Sequence, residues 1–424
     1  GKRLWIPYAS PQAEVLAASL RAWGVNAEPL ARSQDPGLNL ARRMISEDVC
    51  LPMLVTTQDI LERTQAPDFD PDGEAFFQGQ SEGPCRFGMY CMMQRRLLDK
   101  MGLKQVDMVA LGNRSVHGGL GIRFLLATWG GLLAHDMLEK MCLHTRPYEA
   151  VAGESDRLFA QYLREVCEQM AEQRRIVEAR PLATLAGKHV EPLVDILRRA
   201  QRAFAAIPRR DGDEGRPLVG LVGEFFVRIH DGSNQGVIRR LERAGAEVWL
   251  APATEFFGYC CQIGSLLGYD RWQDSRAWRD LLAGLNGQLL AWVAGRDEHH
   301  LFAATLPYLE GLDDIGPREV IENGSRYVHP SFGGEAICSM GKAVDFARRG
   351  LDGIVNVTPF NCMPGMTVTM LSQTFRRHHG NIPFLNLDYD GFVDASREAK
   401  IVSFMSQVKE RQEARRVADL AYGR

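Results

Sequence analysis

Short apolar runs, each stopped by Gly or Pro and followed by a helical pattern, occur in two series along this chain. Continuous apolar runs belong to strands buried on both faces, so the pattern calls for parallel sheets covered by helices. The first series opens with Leu4-Trp5-Ile6-Pro7-Tyr8. An amphipathic stretch from Ala13 to Trp23 follows and ends at Gly24, as a helix C-cap does. Residues Asn26 to Leu30 read as a short second strand, which makes a βαβ opening. Val106 to Leu111 is a further strand, ended by Gly112-Asn113. Residues from about 120 to 205 are mostly helical, with charged faces such as Arg157 to Arg175. The polar stretch 205–217, with Pro and Gly, reads as a linker.

The second series begins directly after it, with Leu218 to Val222 leading into Gly223-Glu224. A helix is predicted over about 234–244, closed by Gly245, and then a strand from Ala246 to Leu250. A long helical region covers about 270–310. Strands at 353–357 and from Ile382 to Leu387, and a charged helix over about 393–417, complete the pattern. The expected fold class is α/β with helical inserts. Residues 1–210 would form an N-terminal α/β lobe with a helical extension, and residues 211–424 a C-terminal α/β lobe. A chain of 424 residues has room for both, at roughly 100–200 residues per domain.

A hydrophobic fraction of 45% and a charged fraction of 24% exclude wholesale disorder. A formal charge of −3 offers no electrostatic footprint for nucleic acid. No apolar run approaches the roughly 18 residues of a membrane helix. The start shows no secretory pattern, so the expected location is the cytoplasm. Gly1 stands where Met is usual and reads as a cloning remnant or the cut end of a longer polypeptide.

Nine cysteines are the informative excess, at 50, 85, 91, 142, 167, 260, 261, 338 and 362. Their odd number, without a secretory signal, argues against a disulfide framework. No Cys-x-x-Cys pair is present, so any metal site has to be assembled from separate loops. Sites in open parallel sheets form at strand carboxyl ends. Cys362 lies just past the strand 353–357, and Cys260 and Cys261 follow the strand 246–250. Cys338 falls early in a helix opened by Ser331-Phe332-Gly333-Gly334-Glu335. Cys50 precedes Leu51-Pro52, Cys85 follows Gly83-Pro84, and Cys91 comes six residues later. Proline beside a ligand thiolate stiffens the loop and removes a competing N–H. Nearby glycines let backbone approach a bulky inorganic group, and soft thiolates select iron–sulfur, zinc or copper(I).

Cys142 and Cys167, inside helical patterns, read as core cysteines. Cys91, Cys260, Cys261 and Cys338 stay open between core and ligand. Gly220-Leu221-Val222-Gly223 reads as a tight strand-to-loop turn, without a phosphate-loop lysine. His299-His300 and His378-His379 read as solvated pairs. Glu224, Glu255 and Glu335 sit near strand ends or helix starts, where they serve either as acid–base groups or as caps. Arg146-Pro147-Tyr148-Glu149 reads as a structural turn.

Taken together the segments are familiar. They include Glu47-Asp48-Val49-Cys50-Leu51-Pro52, Gly83-Pro84-Cys85-Arg86-Phe87-Gly88-Met89-Tyr90 and Arg146-Pro147-Tyr148-Glu149. Further on come Val222-Gly223-Glu224-Phe225-Phe226-Val227-Arg228, Gly245-Ala246-Glu247-Val248-Trp249-Leu250-Ala251-Pro252 and His329-Pro330-Ser331-Phe332-Gly333-Gly334-Glu335-Ala336. Last is Asn356-Val357-Thr358-Pro359-Phe360-Asn361-Cys362-Met363-Pro364-Gly365. The chain resembles the carboxyl-terminal region of activase-related proteins in the 2-hydroxyacyl-CoA dehydratase superfamily. Double-cubane cluster proteins and benzoyl-CoA reductase subunits are similar relatives.

The resemblance implies two Rossmann-like lobes with parallel sheets facing a central cleft that holds an iron–sulfur cluster. It implies cluster ligands at Cys50, Cys85 and Cys362 and a separate ATP-hydrolysing activator iron–sulfur protein; the chain itself is expected to form a homodimer. Cysteines at 91, 260 and 338 depart from the family pattern. Counted lobe by lobe, they suggest Cys50, Cys85 and Cys91 against Cys338, Cys362 and one of Cys260 or Cys261, with Cys260 taken as the ligand. Such a set suits a double cubane (8Fe-9S); the rival is one 4Fe-4S cubane with an open iron. Leu51 replaces a Tyr usual in the family, so no role for that Tyr carries over.

The implied function is the iron–sulfur oxidoreductase component of an ATP-dependent low-potential reductase, acting on a small molecule or a CoA ester. Glu224 and Glu255 would be its catalytic acid–base groups, and Arg86, Arg228 and Arg239 are candidates to meet a CoA tail. The rivals are a 2-hydroxyacyl-CoA dehydratase-type lyase, an electron-transfer or scaffold module, and a metal-free α/β binding protein.

Overall fold

The computed structural model describes every residue except 34, 36, 46–48, 81–84, 112–119, 180–183, 185, 211–214 and 423–424, with backbone alone at 111, 267, 270 and 418–422. It has two compact units. One comprises Gly1–Glu139, Phe159–Arg202 and Cys260–Tyr308; the other comprises Lys140–Leu158, Ala203–Tyr259 and Leu309–Arg424. Each holds one four-stranded parallel sheet, as the apolar runs require.

In the first unit the strands are β1 (Arg3–Ile6), β2 (Ala27–Pro29), β3 (Glu74–Gly79) and β4 (Asp107–Leu111), in the order β2-β1-β3-β4. Helix α1 (Gln12–Ala22) connects the first two strands. Helices α2 (Asn39–Met44) and α3 (Leu51–Thr64) lead to β3, and α4 (Tyr90–Lys100) leads to β4. Side chains alternate along β1. Leu4 and Ile6 join Ala17, Leu20 and Phe124, while Trp5 joins Ile60, Phe76 and Leu98. Both faces are therefore buried, which explains why the run is continuously apolar.

The sequence reading missed β3. Its first residue, Glu74, is an acid that looks like surface. In the fold Glu74 is buried, accepts the Trp5 indole N–H at 2.7 Å and pairs with Arg63.

Long helices follow: α5 (Gly121–Thr145), α6 (Glu154–Ala179) and α7 (Glu191–Ala205). The second sheet contains β5 (Leu218–Gly223), β6 (Glu247–Leu250), β7 (Gly353–Pro359) and β8 (Phe384–Tyr389), in the order β6-β5-β7-β8. The two sheets thus share one topology, 2-1-3-4. Between β5 and β6 lie α8 (Phe225–Ile229), α9 (Asp231–Asn234) and α10 (Val237–Arg243). The expected single helix over 234–244 is broken because Gln235 and Gly236 both take positive φ, 55° and 66°. The region expected to be helical over 270–310 begins earlier. It comprises α11 (Glu255–Ser275) and α12 (Trp278–Ala303), separated at Arg276 with φ 53°. Helices α13 (Pro317–Gly324), α14 (Ala336–Arg348), α15 (Met363–His378) and α16 (Ser396–Tyr422) complete the chain.

The described part of the expected linker is pinned in place. Arg210 N–H reaches Tyr148 O at 2.9 Å and Ala150 N–H reaches Pro208 O at 2.8 Å. The turn at Arg146–Tyr148 is structural, since Arg146 is paired with both Glu242 and Asp156.

A buried ionic group ties together the second unit. Asp314 meets Lys140, lies 2.7 Å from Lys342 and accepts the Trp249 indole N–H at 3.2 Å. Both ammonium groups also sit over the Trp249 ring, at 5.1 and 5.4 Å. Burial alone would raise the Asp314 carboxyl, but the two lysines outweigh it and hold it at about 2.

Two predictions follow from these contacts. Gly223 has φ +127°, and a Cβ there would stand 2.1 Å from Val357 O. Gly223→Ala is expected to cost about 2–4 kcal/mol, measured by urea unfolding. Asp314→Asn removes the carboxylate that two buried lysines share, although Lys342 keeps Asp345 and Lys140 keeps Leu312 O, and is expected to cost about 3–5 kcal/mol at pH 7. Because the Asp314 carboxyl is depressed in the fold, its contribution is present above pH 4 and is lost as pH falls towards about 2. Thermal midpoints taken across that range should show a shallower acid slope in Asp314→Asn than in the parent.

Candidate functional site

In each sheet the first and third strands are neighbours whose connections leave in opposite directions. Parallel sheets open a crevice at the carboxyl ends of such a pair. In the second unit that pair is β5 and β7. Gly223 ends β5, and its φ, open to glycine but strained for other residues, turns the chain sharply. The next residue, Glu224, donates its N–H to Val357 O at 2.9 Å and caps α8, its carboxylate accepting from Val227 N at 2.8 Å.

At the end of β7, Cys362 caps α15, with Pro364 in the first turn and Gly365 packed onto Thr358. Glu335, at the cap position of α14, receives a hydrogen bond from the Cys362 thiol at 3.7 Å. Cys362 and Glu335 are both 7% exposed, so this thiol–carboxyl contact is nearly sealed from water.

Arg228 on α8 has no solvent exposure at all. It reaches Pro252 O at 2.7 Å and Glu255 at 3.2 Å, and stands 4.4 Å over the Phe225 ring. Burial pushes the Glu335 carboxyl up to about 8, reinforced by the charge of Glu224. Burial also raises Glu224, opposed by the N–H groups of Val227 and Phe226, and raises Glu255, opposed by Arg228 and Lys342. The two acids named from sequence as catalytic, Glu224 and Glu255, thus have structural partners, a helix cap and a buried ion pair. Of the three acids singled out in the sequence, the one touching a thiol is Glu335.

The first unit repeats the arrangement with sulfur. Cys85 follows β3 as Cys362 follows β7, and it caps a 3-10 turn at Arg86–Met89. Its sulfur accepts from Phe87 N at 3.4 Å. Cys50 caps α3, the helix before the third strand, the position that Glu335 holds before α14. Cys50 Sγ lies 2.5 Å from the Tyr90 hydroxyl, and Tyr90 packs edge-on against Phe87 at 5.3 Å. Cys50, Tyr90 and Phe87 thus share one apolar cluster. Nothing in the sequence reading singled out Tyr90, because a hydroxyl 40 residues away carries no local signal.

The remaining cysteines sit within helices. Cys91 is buried at the start of α4, its thiol pushed up by burial. Cys338, at 0% exposed, lies in the first turn of α14. Cys260 and Cys261 stand inside α11, and burial raises both thiols to about 12. Both belong to the unit of Cys50, Cys85 and Cys91, whereas the count by lobes grouped them with Cys338 and Cys362. The division of three thiolates per lobe is therefore not kept. Cys142 and Cys167 lie inside α5 and α6, with thiols raised by burial to about 12 and about 11.

An anionic iron–sulfur group needs sulfur donors whose thiolate form is favoured, and helix N-termini supply that. Cys50, Cys85 and Cys362 fit this requirement by their cap positions. The interior cysteines of α11 do not share it. Among the described residues, the His/Cys/Asp/Glu group whose ligand atoms converge within 4.8 Å is His135, Asp136 and Glu139 on α5. The pairs His299-His300 and His378-His379 show no such convergence; His378 and His379 instead flank the Tyr327 hydroxyl, each at 3.1 Å. Of the three arginines considered for a CoA tail, Arg228 is sealed inside and Arg239 pairs with Asp156 at 2.5 Å. Among the described residues no helix is long and apolar enough to cross a membrane.

No protein-family model matches this chain, and a search of curated proteins finds no match.

A raised carboxyl in the fold costs stability once the pH passes its unfolded value, because the folded state then holds protons the unfolded chain has lost. For Glu335 the loss should accumulate between pH 4.5 and about 8. Thermal midpoints of the metal-free protein should fall over that window, and Glu335→Gln should flatten the fall. An unchanged slope would mean that Glu335 does not hold the proton.

Proposed function

We propose that this chain is the iron–sulfur catalytic component of an ATP-dependent low-potential reductase. A separate ATP-hydrolysing activator would deliver its electrons, and its substrate would be a small molecule or a CoA ester. The observation that carries the reading is the buried contact of Cys362 with Glu335 at the carboxyl end of β7. The matching cap positions of Cys50 and Cys85 in the first unit support it. The proposed cluster ligands are Cys50, Cys85 and Cys362.

A cluster on such thiolates supplies single electrons at low potential. The chain's own residues do the rest. The N-terminal dipoles of α3 and α15 favour the anionic sulfur of their cap cysteines. Glu335 holds a proton on a carboxyl oxygen beside Cys362 Sγ, where a reduced substrate needs one. Glu224 is fixed by the Val227 N–H, and Arg228 lies close enough for its charge to act on both acids. Tyr90 holds the Cys50 sulfur in one orientation.

The test is anaerobic purification, with iron and acid-labile sulfide counted per chain and EPR recorded after reduction. About four irons are expected if the cap cysteines alone ligate, and about eight if the helix-interior cysteines join them in a double cubane. Cys50→Ala, Cys85→Ala and Cys362→Ala should each lower the iron content, while Cys142→Ala should not. A chain that carries no iron under strict anaerobiosis, and takes up none on reconstitution, would overturn the proposal.

A further inference from the structure

Helix α12 carries a row of large apolar side chains that stand in water. Trp278 is 77% exposed, Leu282 55%, Leu285 48%, Leu289 53% and Trp292 56%. Their spacing is four, three, four, three, so on a helix they form one stripe about 21 Å long. The opposite side of α12 is already used. Gly284 and Gly287 sit against α11, where Ser265 Oγ donates to Gly284 O at 2.9 Å and a Cβ at Gly287 would stand 2.9 Å from Ser265 N. Exposed apolar rows of this size mark surfaces that another molecule covers.

We infer that a second copy of this chain covers it, through an isologous dimer in which two α12 helices pack antiparallel about a two-fold axis near Leu285. Three observations select a second copy. The order of residue types, Trp, Leu, Leu, Leu, Trp, reads the same in both directions, and Trp278 and Trp292 each stand seven residues from Leu285. A two-fold axis there brings each Trp278 towards Trp292 of the partner subunit, so the surface is self-complementary as an isologous contact requires. The 3.5-residue spacing is that of a helix–helix seam. The stripe offers roughly 600 Å² of apolar surface per copy, near the roughly 800 Å² per partner of a stable interface. Between Trp278 and Trp292 the only charged residues are Arg279 and Asp280, whereas a helix lying on a membrane needs a cationic polar face. The inference stands apart from the reductase reading and survives its failure.

The experiment is sedimentation equilibrium on the full chain, beside Leu285→Arg and Arg279→Ala. The parent and Arg279→Ala should be dimers. Leu285→Arg should weaken dimerisation at least about tenfold, with circular dichroism unchanged because it replaces an exposed side chain, and with a thermal midpoint that no longer rises with protein concentration. Leu285→Cys, oxidised beside the parent as a background control, should add an interchain disulfide, because a residue near the two-fold axis meets its own copy. A parent monomeric at every concentration would overturn the inference. So would a dimer untouched by Leu285→Arg, or stripe-dependent binding of phosphatidylglycerol vesicles by a monomeric parent.

Discussion

One guanidinium without access to water organises the second unit. Arg228 leaves β5 on α8, grips the carbonyl that follows β6 and pairs with Glu255 at the start of α11. A buried cation is tolerated only when carboxylates and carbonyls surround it. Glu224, Glu255 and Glu335 each feel its charge. The carboxyl ends of β5 and β6 and the start of α14 are thereby held to one polar centre, and Cys362 enters that centre from β7. Without Arg228 the three acids would lose the one cation whose charge acts on all of them.

The two units use one topology and vary its chemistry. Each sheet runs 2-1-3-4, and each places a cysteine after its third strand. At the helix before that strand the first unit offers Cys50 and the second offers Glu335. One framework thus presents sulfur beside a phenol, and the other presents sulfur beside a carboxyl that burial pushes up. Parallel sheets permit this because the site lies in the loops, which vary without disturbing strand packing.

Local chemistry in the sequence marked where some cysteines stand in the fold. Proline after Cys50 and Cys362 marked helix starts, and both residues are helix caps. No such signal placed Cys260 and Cys261, because a strand followed some ten residues later by cysteines looks the same whether those residues form a loop or a helix. They lie inside α11, and they belong to the compact unit that a count along the chain does not give them. Glu224 and Glu255 were also read too generously. An acid at a helix start is a cap as readily as a catalyst, and of Glu224, Glu255 and Glu335 it is Glu335 that touches a thiol. The segments Glu47-Asp48 and Gly83-Pro84 lie outside the described residues.

By itself the sequence determined the α/β class, the parallel sheets and the cysteines that start helices. These follow from periodicity and from Gly and Pro, which act over a few residues. Only the tertiary structure decided that β3 is a strand, because the partners that bury Glu74 are distant in sequence. Only the fold set Glu335 beside Cys362, 27 residues apart, and Cys50 beside Tyr90, 40 apart. Such pairings arise where crossover helices return neighbouring strands to one edge of a sheet. No local pattern encodes them, because their energy comes from burying polar groups together.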